Sequence, residues 1–116
     1  MWIVMNDAFI SIVQSTKNEN EVVVRARVAE DLANVWPEHK SDIIETSDSD
    51  YRYRLFLNKE HVAETIKDSI LDIDYPNFKN SVKQTWRKNA YMKIWSVMYD
   101  VQESLNPSNW YSTYRR

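Results

Sequence analysis

Glu21-Val22-Val23-Val24-Arg25-Ala26-Arg27-Val28 (EVVVRARV) decides the fold class of this chain. It opens on a β-branched run and closes on strict alternation, the pattern of a strand with one buried and one open face. Tyr51–Leu57 (YRYRLFL) repeats that alternation downstream. Working outward, Trp2–Met5 is apolar, Asn6-Asp7 is a turn candidate, and Ala8–Gln14 is rich in Phe and Ile. Asn and Asp are the non-glycine residues that best tolerate left-handed turn geometry. The polar run Ser15–Asn20 reads as a loop, so the first quarter is expected to be an antiparallel meander. Ile43–Thr46 reads as a short strand, joined to Tyr51–Leu57 as a hairpin through Ser47-Asp48-Ser49-Asp50.

Helical signals fill the remainder. Ala29–Val35 has Leu32, Val35 and Trp36 on one side, and Pro37 disfavours helical geometry at Trp36. Asn58 is an N-cap candidate for a helix over Lys59–Ile73, with Val62, Ile66, Ile70 and Ile73 on one side. Asp74-Tyr75-Pro76-Asn77 breaks it, and Phe78–Val82 reads as a helical turn. A last long helix is expected over Arg87–Leu105, stopped by Pro107. Tyr91, Ile94, Trp95, Met98, Val101 and Leu105 follow helical spacing there. This order predicts an α+β fold: a single antiparallel sheet of about five strands with helices packed on one face and a long C-terminal helix. A ferredoxin-like core would need a closing strand after the second helix, where the sequence places another helix. Residues 1–108 read as one domain and 109–116 (NWYSTYRR) as a polar, aromatic tail. Ile12, Val23, Leu55, Ile66, Ile94, Trp95 and Met98 are expected in the core.

Composition removes several function classes. The 116 residues contain no glycine, where roughly eight would be ordinary at about 7% usage. Glycine-dependent phosphate loops, dinucleotide turns and nucleophile elbows are therefore excluded. With no cysteine, thiol catalysis, disulfides and thiolate metal sites are excluded too, and a reducing compartment is in keeping. The formal net charge of −2 argues against the whole molecule being an electrostatic nucleic-acid binder. No stretch approaches the roughly 18–20 apolar residues of a membrane span. The N-terminal residues lack the basic and apolar regions of a signal peptide. A cytoplasmic protein without cofactor or membrane partner is expected. Five Trp and seven Tyr supply large core surfaces.

The best binding candidates are the alternating arginines. Arg25 and Arg27 share one strand face by the two-residue period, and Arg52 and Arg54 share another. On neighbouring strands, four guanidinium groups would line the open sheet face, suited to phosphate or carboxylate. The alternative is a solvated face balanced by Glu21, Glu45, Asp48 and Asp50. Alternation puts Tyr51 and Tyr53 opposite the arginines, unlike an RNA-binding sheet that presents aromatic and basic groups together. In the tail, Trp110, Tyr111, Tyr114, Arg115 and Arg116 could stack on a base or dock on a partner. They could equally fold back over apolar surface or stay disordered.

Catalytic constellations are poor. His39 lies in a polar loop after Pro37. His61 stands beside Glu60 with Glu64 one turn on, a set that could hold a divalent ion only with further ligands. Carboxylates near a helix N-terminus are the simpler reading. Asp48 and Asp50 lack the glycine and distal Glu of a calcium loop. No catalytic residue and no metal ligand is expected. The last helix, with Trp86, Trp95 and Met98, reads as core or as a homodimer surface.

Several segments together resemble a family of small bacterial and phage proteins with no assigned activity. They are MWIV, FISIVQ, VVVRARVAEDL, DYRYRLFLNKE, IDYPNFKNSV and RKNAYMKIWSVMYDVQ, covering nearly the whole chain. The resemblance implies a single small domain and a phage or mobile-element setting, and carries no functional residue. Size, missing catalytic motifs and abundant aromatic residues lead to one expectation: a non-enzymatic protein-binding module acting on a host or anti-phage system. A nucleic-acid-binding domain using the arginine face is the alternative. A small-ligand-binding protein or enzyme, which requires a concave polar pocket, is the second.

Overall fold

The computed structural model of the chain describes residues 1–109. They fall into two compact units, Met1–Pro76 and Asn77 onward. The first contains β1 (Trp2–Met5), β2 (Ala8–Gln14), β3 (Glu21–Ala26), α1 (Ala29–Val35), a 3₁₀ turn (Pro37–Asp42), β4 (Ile44–Glu45), β5 (Tyr53–Asn58) and α2 (Lys59–Leu71). The second contains α3 (Phe78–Ser81), α4 (Thr85–Ser104) and a 3₁₀ turn (Pro107–Asn109). The fold class is α+β, as the alternation patterns predict. Among the described residues, no helix is long and apolar enough to cross a membrane.

The five strands form one antiparallel sheet in the order β1-β2-β3-β5-β4. β1 and β2 pair Met5 with Ala8, leaving Asn6-Asp7 as the hairpin loop. Two-residue hairpin loops usually take mirror-image turns with positive φ. Here no described residue has positive φ, so this loop does not use the left-handed geometry that Asn and Asp tolerate. That suits a chain without glycine.

Alternation along the strands builds the core. Ala8, Ile10, Val22, Val24, Ala26, Leu55 and Leu57 point to one face, where α1 contributes Leu32, Trp36 follows it, and α2 contributes Val62. Ile12 and Ile66 are half-buried against this cluster. Val23 is also buried, but on the opposite face by strand alternation. Trp36 is fully enclosed. It closes α1 by donating its backbone N–H to the Leu32 carbonyl at 2.8 Å, and Pro37 then opens the 3₁₀ turn.

α2 begins where the sequence places it. Asn58 Oδ1 accepts the Glu60 backbone N–H at 2.8 Å, satisfying one of the unpaired donors of the first turn. Asn58→Ala is expected to lower stability by about 1 kcal/mol, measured by urea denaturation. Asn58→Asp, which keeps the acceptor, should retain most of it.

Two expectations are corrected here. β5 starts at Tyr53 rather than Tyr51, because the Tyr51 N–H is captured by the turn, with Asp50 Oδ1 accepting at 3.0 Å. β3 likewise ends at Ala26, before Arg27. The second correction concerns α4. Ile94, Trp95 and Met98, expected in the core, are exposed, Trp95 by 59%. Helical spacing establishes that apolar residues share a side of a helix; it does not supply an element to cover them.

Candidate functional site

β3 and β5 pair in a register that sets Arg25 directly opposite Arg54, with Ser11 of β2 on the other side of Arg25. This row lies on the sheet face away from the core. Arg25 Nη2 donates to Ser11 Oγ at 2.8 Å, and Arg54 Nη2 donates to Ser49 Oγ. The Nε atoms of both guanidinium groups are buried with no hydrogen-bond partner among the described residues. Arg27 is exposed just beyond the strand end. Arg52 is set apart: it lies 3.9 Å from Glu45 Oε1, its side chain 54% exposed. The fold thus joins Arg25 and Arg54, brings Arg27 beside them through Tyr51, and leaves Arg52 on a separate exposed ion pair.

Tyr51 corrects the expectation that it would face away from the arginines. Freed from the strand alternation, its ring turns over the open face. The Arg25 and Arg27 guanidinium carbons lie 4.4 and 4.3 Å from its centroid. Arg27 also stands 5.8 Å from the Phe9 ring, and Phe9 meets Trp2 edge-on at 5.5 Å. Aromatic and cationic groups therefore do share this face, Arg25 and Arg27 each held by cation–π contact. Tyr51, buried at 4% exposure, was missed as a site residue. The serine- and aspartate-rich turn before it was the only sequence signal that the alternation would fail.

Burial alone would push the Tyr51 phenol up, since it penalises the charged form. Hydrogen bonding with Ser11 and Arg27, and the Arg27 charge, outweigh this and bring it below its ordinary value of 10.0. Between its native value and 10.0 the unfolded chain holds the proton that the folded one has released. Stability from this group is therefore complete above the unfolded value and is lost as pH falls through the native one. Absorbance titration at 295 nm is expected to show an early tyrosine step, below 10.0, that comes from Tyr51. That early step should vanish in Tyr51→Phe, and the stability gap between the two proteins should widen as pH rises towards 10.0. A coincident titration of every tyrosine in the wild type would refute it.

A second surface belongs to α4. Ile94, Trp95, Val97, Met98, Tyr99 and Val101 are each at least 39% exposed. Trp95 and Tyr99 stack on one another at 5.2 Å between centroids. Arg87, in contrast, is buried in the first turns, with Nε donating to Gln84 Oε1 at 2.8 Å and the guanidinium 4.5 Å from the Trp86 ring. The tail residues Trp110, Tyr111, Tyr114, Arg115 and Arg116 lie outside the described residues.

An open cleft of about 510 Å³ runs between the β1–β2 hairpin and the C-terminal half of α2. Ile3, Met5, Ile66 and Ile70 line it together with Asp7, Asp72 and Asp74. Ser69 and Tyr75 also line it, the Ser69 hydroxyl donating to the Thr65 carbonyl at 3.0 Å. No family model, curated protein or solved structure matches this chain. Function is therefore argued from the surfaces themselves.

Proposed function

We propose that this chain is a non-enzymatic protein-binding module that presents α4 to its partner. One observation carries the reading: a 20-residue helix holding tryptophan, methionine, tyrosine and branched aliphatic side chains in solvent. Exposed apolar groups gathered on one element mark interaction surfaces, and aromatic residues with methionine are the types enriched at interface centres. The resemblance to small bacterial and phage proteins gives such a partner a setting, a component of the host or of an anti-phage system. Ile94, Met98, Val101 and Leu105 recur at intervals of four, three and four residues, a spacing that also suits a second copy of the helix.

The test combines capture and light scattering. Tagged wild-type protein is used to capture partners from lysate after nuclease treatment, beside a Trp95→Glu/Met98→Glu variant, and both are sized in solution. A retained protein, or a self-associated species, that is lost in the variant supports the reading. Retention unaffected by the variant, or recovery that disappears with nuclease, overturns it.

A second reading, an anionic partner on the open sheet face, is favoured by the Arg25–Arg54 row with Arg27 beside it. Against it, the row already spends one guanidinium nitrogen from each arginine on a serine, and Arg52 is drawn aside by Glu45. Binding to nucleic acid that weakens steeply with salt and with Arg25→Ala and Arg27→Ala would put it first.

A further inference from the structure

We propose that His39, His61 and Glu38 form a binding site for a divalent transition-metal ion of the zinc class. The chain contains two histidines, and the fold brings both together with a carboxylate. His39 and Glu38 sit in the 3₁₀ turn after α1, and His61 in the first turn of α2. The imidazole rings meet edge-on with centroids 5.5 Å apart. Glu38 Oε1 lies 3.2 Å from His61 Nε2. One ligand atom from each of the three residues falls within 4.8 Å of the other two.

These distances suit a small ion. Zinc bonds of ~2.0–2.1 Å in a tetrahedron place neighbouring ligand atoms about 3.3 Å apart, close to the Glu38–His61 separation. The wider gap closes by side-chain rotation, which costs the core nothing because all three side chains reach solvent. His39, His61 and Glu38 are 31%, 42% and 52% exposed. The backbone beneath them is firm. Trp36 Nε1 donates to Thr65 Oγ1 at 3.0 Å, and Thr65 Oγ1 donates to the His61 carbonyl at 3.0 Å. The two elements that supply the ligands are thereby tied together from inside.

Asp42 supplies the supporting partner. Its Oδ2 lies 3.0 Å from His39 Nδ1. In the tautomer that donates from Nδ1, His39 Nε2 carries the free lone pair, the carboxylate–histidine arrangement that orients metal-ligating imidazoles. Two imidazoles and one carboxylate favour zinc, nickel, cobalt or copper over magnesium or calcium. Three protein ligands leave a fourth position for water or a partner's side chain. A His61–Glu38 pair accounts for one contact and a His39–Asp42 pair for another; neither accounts for the edge-on approach of the two imidazoles. The sequence led to no expected metal ligand, and its Glu60–His61–Glu64 grouping shares only His61 with this set. Glu64 is engaged by Lys67 at 3.2 Å, and Glu60 stands outside the group that converges.

The experiment is calorimetric titration of Zn²⁺ into chelator-stripped protein, with Cu²⁺ electron paramagnetic resonance as a direct view of the ligands. One ion per chain is expected, with a melting temperature that rises with Zn²⁺ concentration. Affinity should fall at least ~10-fold in His39→Ala and in His61→Ala, by ~10–100-fold in Asp42→Asn, and stay unchanged in Glu60→Ala. The Cu²⁺ spectrum should carry hyperfine structure from two imidazole nitrogens, reduced to one in either histidine variant. Circular dichroism verifies that each variant is folded, and Glu38→Gln provides a further ligand variant. Absence of binding at millimolar Zn²⁺, or binding that survives loss of both histidines, would overturn the site.

Discussion

Trp36→Ala is expected to lower the free energy of unfolding by about 3–5 kcal/mol. Trp36 is 0% exposed and leads the fully buried side chains by volume. Its ring fills the space where the end of α1, the sheet and α2 meet, with Leu32, Leu55 and Val62 in the same cluster. Truncation removes the apolar contact and leaves a cavity that surrounding strands cannot collapse into. It also deletes the donor to Thr65 Oγ1 at 3.0 Å. Against a total stability of about 5–15 kcal/mol for a domain, this is the largest single loss the fold offers. Urea denaturation would read it as a lower midpoint with an unchanged slope. Trp36→Phe, which keeps a six-membered ring but loses the N–H donor and part of the indole volume, should cost less, about 1–2 kcal/mol. A wild-type midpoint for Trp36→Ala would show that the ring is not core.

The second large effect falls on binding and leaves folding nearly alone. Trp95→Glu with Met98→Glu is expected to weaken the proposed α4 complex at least ~30-fold, the size of a hot-spot loss of about 2 kcal/mol. Trp95 and Met98 are 59% and 58% exposed, so charges placed there meet solvent in the free protein and desolvation in the complex. Trp95→Ala should change stability by no more than about 1 kcal/mol, most of it from the lost stack on Tyr99. Titration by fluorescence or calorimetry measures the first quantity and urea denaturation the second. A loss of 3–5 kcal/mol in Trp95→Ala would place the residue in a core and withdraw α4 as a contact surface.

The contrast between these two tryptophans shows how far a sequence can be read. Both follow apolar residues at helical spacing. Trp36 stands directly before a proline, a position that reads as the end of a helix. Trp95 stands in the middle of the longest periodic run, which reads as core. Trp36 is buried, in keeping with its place on the apolar side of α1, and Trp95 is exposed, because periodicity describes one element, whereas burial needs a second element to arrive. For α1 the sheet and α2 arrive. For α4 the exposed side chains remain open to solvent.

Tyr51 teaches the same lesson at the candidate site. Strand alternation assigns Arg25 and Arg54 to the open face correctly, since both lie inside strands and pair across β3 and β5. It fails for Tyr51 because Asp50 and Ser49 take up its backbone N–H. A residue released from the pleat no longer obeys the period of two. The ring then lies between two guanidinium groups that the sequence placed on the other side. His39 and His61 were visible individually, one in a polar segment and one at a helix start. Their meeting depends on the α1–α2 packing through Trp36 and Thr65, which no local pattern encodes.

By itself, the sequence determined the α+β class, the meander of β1 to β3, the Asn58 cap and the exclusion of glycine- and cysteine-dependent chemistry. These follow from local causes: side-chain period, β-branching, capping groups and residues that are absent. Only the tertiary structure decided the β1-β2-β3-β5-β4 order, the burial of Trp36 over Trp95, the Arg25–Tyr51–Arg27 stack and the convergence of His39, His61 and Glu38. Each of these joins residues distant in the chain, and such contacts are set by which surfaces are buried together.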